Sequence, residues 1–273
     1  MKIEKDHLNK TAVTEEEAFI RLGNIVRVLR KECPWDQAQT HDSLKSCLLE
    51  EAYEVVEAIN NKDDENLEEE LGDVLLQVVF HGVLGEENNR FDLMGVINRE
   101  CEKMIRRHPH VFLKESIDTI DKVLDKWENV KRKERGNSSH TERLMEVPKA
   151  LPALLRSFKL QAKAAQAGFD WEEVSDAFLK VEEELSELRQ AISQDDQNGM
   201  TEELGDLLFS IVNVARFLKV NPEEALNSTS VKFIRRFSEI ERNAKTSGKN
   251  LEEMSLKEMD ELWEGAKLLE DIE

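Results

Sequence analysis

The chain has 273 residues, enough for two ordinary domains of about 100 to 150 residues each; 40% hydrophobic and 35% charged residues with 5 prolines and 11 glycines suit long amphipathic helices. Its 38 Lys and Arg against 58 Asp and Glu leave a net charge of −20, a field that repels DNA, RNA and anionic membranes. Nucleic-acid polymers and membranes are therefore excluded as partners, although a small anion can still bind where metal ions and a few local cations reverse the sign.

The stretch Met1 to Lys10 is charged and has no apolar core of signal-peptide length, and no run approaches the roughly 18 apolar residues of a membrane span. Cys33, Cys47 and Cys101 are odd in number and form no CxxC pair, so neither a disulfide framework nor a zinc ribbon is expected, and a reducing cytoplasm fits. Residues 1–13 are read as a tail. Thr14 with Glu17 three residues on is a capping-box pattern that opens a first helix, whose face carries Phe19, Leu22, Val26 and Leu29 and which stops before Cys33-Pro34. A second helix has Leu44, Leu48, Val55 and Ile59 as its apolar stripe. A third follows Asn66 and runs from Leu67 to about Leu84, and a fourth precedes Pro109. The polar, aperiodic segment from Arg135 to His140 reads as linker, giving a first domain over 14–134, a linker over 135–147 and a second domain over 148–273.

After the linker the pattern begins again. Glu50-Glu51-Ala52-Tyr53-Glu54 recurs as Glu183-Glu184-Leu185-Ser186-Glu187, and Glu69-Glu70-Leu71-Gly72-Asp73 recurs as Glu202-Glu203-Leu204-Gly205-Asp206. Lys103 to Arg107 matches Lys232 to Arg236, and Trp127 with Lys131 matches Trp263 with Lys267. Four motifs in one order with similar gaps mark a tandem duplication of an all-α unit.

At helical pitch Glu51 falls inside the apolar stripe of the second helix, Glu54 lies at its edge, and Glu70, Asp73, Gln77 and His81 share one face of the third. Desolvating a charge costs several kcal/mol even after relaxation, so four carboxylates turned toward one another need cations between them. A pair ExxE on one helix and ExxD on the next offers oxygen ligands one turn apart, a hard donor set that favours Mg²⁺, with Mn²⁺ as the substitute, completed by waters and phosphates. Di-iron bundles use Glu-x-x-His, and here the residue three after Glu70 or Glu203 is Asp. His81 is read as a packing or hydrogen-bonding residue, because its counterpart is Val214 and a repeated site keeps its ligands. Lys232 and Arg236 are i, i+4 neighbours able to reach one polyphosphate, and Trp263 with Lys267 offers an aromatic face and a further cation; a core tryptophan is the competing reading. Glu50 and Glu183 stand beside the acidic pairs without sharing their face. No GxxxxGK[ST] loop is present, which excludes a P-loop NTPase.

These acidic pairs, together with Cys33-Pro34-Trp35-Asp36 and Arg106-Arg107-His108-Pro109-His110-Val111-Phe112, resemble the MazG nucleoside triphosphate pyrophosphohydrolases over nearly the whole chain. The resemblance implies two tandem four-helix-bundle-like domains, kinship with all-α dimeric dUTPases, Mg²⁺ dependence, homodimerisation, and hydrolysis of nucleoside triphosphates to monophosphate and pyrophosphate. It assigns Glu184, Glu187, Glu203 and Asp206 as metal ligands in the second copy and Glu51, Glu54, Glu70 and Asp73 in the first. It assigns nucleotide contacts to Lys180, Lys232, Arg236 and Trp263, and with them Glu183, Glu184, Asp206 and Lys267 make up the expected substrate site. The first copy has Cys47 where the second has Lys180, so turnover is expected mainly in the second. A nucleotide sensor or a helical scaffold, holding metal without turnover, is the alternative that pyrophosphate release would separate.

Overall fold

The computed structural model describes residues 5–112, 119 and 139–270, residues 268–270 by their backbone alone. Among the described residues every regular element is helical. The chain divides into two compact units, Met1–Arg135 and Gly136–Glu273.

In the first unit the helices are α1 (Lys5–Leu8), α2 (Glu15–Glu32), α3 (Pro34–Ala38), α4 (Lys45–Asn61), α5 (Asp64–Glu87), α6 (Leu93–Arg107) and α7 (Pro109–Phe112). Thr14 caps α2, its hydroxyl accepting from the Glu17 amide at 3.2 Å while the Glu17 carboxylate accepts from the Val13 amide at 3.1 Å. The chain does stop at Cys33, which is extended, but Pro34 then opens the short α3 because proline is preorganised for the first helical position. Lys62, left-handed at φ 55°, closes α4, and the Asp63 carboxylate caps α5 by accepting from the Asn66 amide. The third helix therefore begins three residues earlier than periodicity indicates. This two-residue turn folds α4 back along α5, and α2 and α6 pack on α5. Val26, Leu44, Val79, Phe80, Val83, Leu84 and Leu93 form the buried core, with Phe19, Leu22, Cys47 and Leu76 against it.

In the second unit the helices are α8 (His140–Met145), α9 (Ala153–Ala165), α10 (Val174–Ser193), α11 (Gln197–Phe217), α12 (Pro222–Thr246), a 3₁₀ turn (Leu251–Glu253) and α13 (Leu256–Glu270). Ser139 and Glu142 form a capping box that starts α8 inside the stretch read as linker. The hairpin turn repeats: Asp195 is left-handed at φ 53° and Asp196 caps α11, as Lys62 and Asp63 do in the first unit. Helices α10 and α11 pack along their lengths, α9 lies on α11, and α12 packs on α13.

The apolar stripes are only partly covered. Leu44 is 1% exposed, yet Ile59 on the same expected stripe is 55% exposed, and Tyr53, Leu71 and Leu75 are likewise exposed. In the second unit Leu179, Leu204, Leu208, Phe233 and Ile234 are exposed too.

Candidate metal site and adjoining cavity

The α10–α11 hairpin sets the acidic motifs face to face. One oxygen each of Glu184, Glu187 and Glu203 lies within 4.8 Å of the others. Asp206 follows Glu203 by one turn and belongs to the same field: burial first, then the charges of Glu187, Glu184 and Asp206, push the Glu203 carboxyl above its ordinary value of 4.5. Glu184 is buried, and Lys180 one turn before it donates to the Glu184 carboxylate at 2.5 Å and to Glu183 at 2.9 Å. Those two bonds hold the Lys180 ammonium charged well beyond its usual range.

The first unit repeats the acidic half of this arrangement. Oxygens of Glu51, Glu70 and Asp73 also lie within 4.8 Å of one another. The Glu51 carboxyl is pushed up by burial, then by its hydrogen bond to Glu54 and the charges of Asp73, Glu54 and Glu70. Burial, Glu54 and Asp73 push Glu70 up in turn. Glu54 thus stands in the cluster even though the three nearest oxygens come from its neighbours. One turn before Glu51 the residue is Cys47.

Both clusters fit a hard divalent cation. All their donors are carboxylate oxygens, they converge from two helices, and their mutual repulsion raises their proton affinity, which a bound cation would reverse. The donor set contains no histidine. His81 instead stacks on His41 with ring centres 5.1 Å apart and shares a 2.8 Å Nδ1 to Nδ1 hydrogen bond with it.

Beside the second cluster opens a cavity of about 720 Å³, within the range of small-molecule sites, between α9, α10, α11 and the segment from Gly168 to Trp171. Lys180, Glu184 and Asp206 form one part of its wall. Phe209, Ser210, Asn213 and Arg216 continue it along α11, and Gln161 and Leu160 come from α9. The Gln161 amide nitrogen donates to the Phe209 carbonyl at 2.8 Å, while its side-chain oxygen is buried without a partner. Arg216 makes a two-pronged pair with Asp170 and also donates to the Asn213 side-chain oxygen at 3.0 Å.

The expected cationic and aromatic contacts gather elsewhere in the unit. The Arg236 guanidinium lies 5.5 Å from the centre of the Trp263 ring, with Phe233 5.3 Å from the same ring. Lys232 is exposed on α12, and Lys267 on α13 pairs with Glu264 at 2.5 Å. None of Lys232, Arg236, Trp263 and Lys267 lines the cavity. In the first unit Lys103 pairs with Glu100 on α6, and Trp127 and Lys131 lie outside the described residues. Sequence reasoning did not find the wall residues Gln161, Trp171, Asn213 and Arg216. A signal existed, because polar residues interrupt the apolar faces of α9 and α11 at positions 161, 213 and 216.

Two helical units, each with a carboxylate cluster across a helical hairpin that could hold a metal ion, define a class of all-α tandem-repeat proteins. The MazG nucleotide pyrophosphohydrolase domain matches twice, at residues 39–112 and 176–240, and the chain belongs to that family. It is 44% identical to a Thermotoga maritima protein named nucleoside triphosphate pyrophosphohydrolase/pyrophosphatase MazG, over 92% of this chain and 98% of that one. Identity is 41% to the Escherichia coli K12 nucleoside triphosphate pyrophosphohydrolase, over 90% of this chain and 96% of the relative. The uncharacterized protein YabN of Bacillus subtilis is 49% identical over 91% of this chain, which spans 51% of that longer relative.

Proposed function

We propose that this chain hydrolyses nucleoside triphosphates to nucleoside monophosphate and pyrophosphate with Mg²⁺, at a site in its second copy. That it is a nucleoside triphosphate pyrophosphohydrolase follows from its family and from relatives so named over most of its length. The observation that carries the assignment to the second copy is the cluster of Glu184, Glu187 and Glu203 joined to a 720 Å³ cavity and to Lys180. Base specificity is read as broad, and the role as housekeeping of the nucleotide pool in the cytoplasm. Among the described residues no helix is long and apolar enough to cross a membrane.

Glu184, Glu187, Glu203 and Asp206 are the residues that would hold Mg²⁺. Bound there, the ion would act as a Lewis acid on the phosphoryl oxygens and help a water to ionise. Lys180, already held charged at the cluster, neutralises phosphate oxygens and is aimed before the substrate arrives. Lys232 and Arg236 are assigned the outer phosphates, with Trp263 behind Arg236. One water is consumed, one P–O–P linkage is broken, and the released proton passes to a nearby carboxylate or to solvent.

The functional assembly is read as a homodimer. Helices α4, α5, α10, α11 and α12 leave Tyr53, Leu71, Leu179, Leu208 and Ile234 exposed, apolar surface that a second copy would cover. Sedimentation at micromolar concentration should give the mass of two chains, and a stable monomer would reject this part of the reading.

The test of the reaction is product identity. With Mg²⁺ and each of the common nucleoside triphosphates, pyrophosphate and monophosphate are expected in equal amounts, and EDTA should abolish both. Diphosphate with orthophosphate would show that a different bond is cut.

A further inference from the structure

We propose that His41 and His81 form a proton-sensitive latch in the first unit, which ties the turn ahead of α4 to α5 while both rings are neutral and releases it when the pair takes up a proton. Three observations carry it.

The first is the bond itself. The two rings stack at 8° with centres 5.1 Å apart and share one 2.8 Å hydrogen bond between their Nδ1 atoms. Such a bond needs a hydrogen on one Nδ1 and a bare lone pair on the other. The Nε2 of His41 is buried without a partner, and Phe91 stacks on the same ring. Buried N–H groups without an acceptor are rarer than buried acceptors without a donor, which assigns His41 as the Nδ1–H donor and His81 as the acceptor. A further proton then has two places to go within the bonded pair. On His81 Nδ1 it sets two N–H groups against each other, and on His41 Nε2 it charges a buried atom that has no acceptor. Either one opposes the closed arrangement.

The second is the surroundings. Burial first, then the charge of His41, push the His81 ring below its ordinary value of 6.5. Where α2 meets α5, Glu86 is held by Arg27 and Glu87 by Arg30, whose guanidinium also binds the Gln39 carbonyl. Asp42, next to His41, is bound to Lys45 and is 90% exposed, where water and salt screen it. Arg90 lines the same cleft as His41 and carries a like charge. The core residues from α4 and α6 include Cys47 and Leu93, which bring no carboxylate. Among the described residues, the carboxylates on this side are therefore each held by a cation, and a charged imidazole gains little from them.

The third comes from the duplication. A constant 133 residues separates Glu51 from Glu184 and Asp73 from Asp206, and the same spacing pairs Leu44, Phe80 and Val83 with Ala177, Asn213 and Arg216. It pairs His41 with Val174 and His81 with Val214. Val214 is buried and Val174 half-buried, so the same hairpin closes with two valines. Its helix also starts differently. Helix α10 begins at Val174 itself under a Glu173–Asp176 capping box, whereas residues 41–44 form a turn and α4 begins at Lys45 with no side-chain cap. The histidine pair fastens that turn, whose last residue is the fully buried Leu44. Release of His41 loosens the start of α4, the helix that carries Glu51 and Glu54.

With His81 lowered, the folded chain binds fewer protons than the unfolded one just below 6.5. The latch therefore contributes fully above 6.5 and is lost as pH falls through that window. The raised carboxyls of the acidic clusters act with the opposite sign, so the two are separable.

The test uses the full chain and hydrogen exchange read by mass spectrometry from about pH 5 to about pH 8, corrected at each pH for the intrinsic rate. Peptides covering 39–48 report the latch, and those covering 172–181 are the internal control. Wild-type protection of 39–48 is expected to fall by up to ~10-fold per pH unit below 6.5, the limit for one proton, while the control does not follow. His41→Val with His81→Val installs the second copy's residues and is expected to keep its protection and lose the response to pH. Ring nitrogen NMR of the wild type should show His41 protonated at Nδ1 and His81 at Nε2 at neutral pH, with His81 titrating below 6.5. Equal pH profiles in the wild type and the folded double variant would overturn the latch. So would wild-type protection of 39–48 that ignores pH, or a His81 ring that titrates at or above 6.5. If the double variant does not fold, the wild-type profile and the ring titration decide.

Discussion

The two halves of this chain share a hairpin, its capping turn and its carboxylates, and differ in what surrounds them. Around Glu51, Glu70 and Asp73 the neighbouring positions are core: Leu44, Phe80 and Val83 are buried, and Cys47 and Leu76 pack on them. Around Glu184, Glu187 and Glu203 the same positions are Ala177, Asn213, Arg216, Lys180 and Phe209, and they border open space. A carboxylate cluster can thus survive duplication in both copies while, among the described residues, the positions that are core beside the first cluster border a cavity beside the second. The retained carboxylates of the first unit suit metal binding, assembly or regulation, and the second unit is assigned turnover.

The largest expected effect breaks the comparison from the first unit's side. Leu44→Ala truncates a fully buried side chain and should cost about 2–5 kcal/mol of stability, the usual range for such cavities. Ala177, its counterpart, has no equivalent truncation to lose, and Ala177→Gly should cost only about 1 kcal/mol through helix propensity. Chemical denaturation of the two variants measures both.

Next is the cation that only the second cluster has. Lys180→Met should lower kcat by about 10²–10³, the scale for removing one preorganised donor. Cys47→Lys should give the first unit no compensating activity, since Leu44, Phe80 and Val83 still fill the neighbouring space. Pyrophosphate release from the two variants is the readout, and gain of turnover in Cys47→Lys combined with Glu203→Ala would contradict it.

Linkage offers a smaller effect. Mg²⁺ with nucleotide at one hundred times its Kd should stabilise the protein by about 2.7 kcal/mol, and Glu203→Gln should blunt the shift in Tm. The pH dependence has a definite sign. Glu51, Glu70 and Glu203 have folded-state values raised above 4.5, so in the window just above 4.5 the folded chain binds more protons than the unfolded one. Their contribution to the metal-free protein is therefore most favourable at the acid end of that window and is lost as pH rises through it. Added Mg²⁺ should matter least at the acid end, where protons occupy its ligands. Thermal melts across this window, with and without Mg²⁺, test both statements.

The duplication, the helices and the acidic pairs were legible in the sequence because each depends on spacing within one or two helices. Thr14 announces its cap, and Glu51 and Glu203 their place in the acidic clusters, through neighbours three or four residues away. The cavity was not legible because it requires α9, α10 and α11 at once, and its polar residues lie on different helices. Apolar stripes likewise did not tell which residues are covered within the chain. Leu44 and Ile59 fit one stripe equally well, and only packing separates the buried one from the exposed one. The short α3 was hidden behind Cys33-Pro34, where proline ends one helix and begins the next. In α8, a capping box inside a polar stretch was passed over as linker.

The central claim is that the second cluster turns over and the first does not. It is tested most directly by a matched pair of variants, Glu54→Ala with Glu70→Ala against Glu187→Ala with Glu203→Ala, each assayed for pyrophosphate release after circular dichroism confirms folding. The account predicts that the second pair abolishes release and the first leaves most of it. Equal losses from the two pairs would contradict it, and loss from the first pair alone would reverse it.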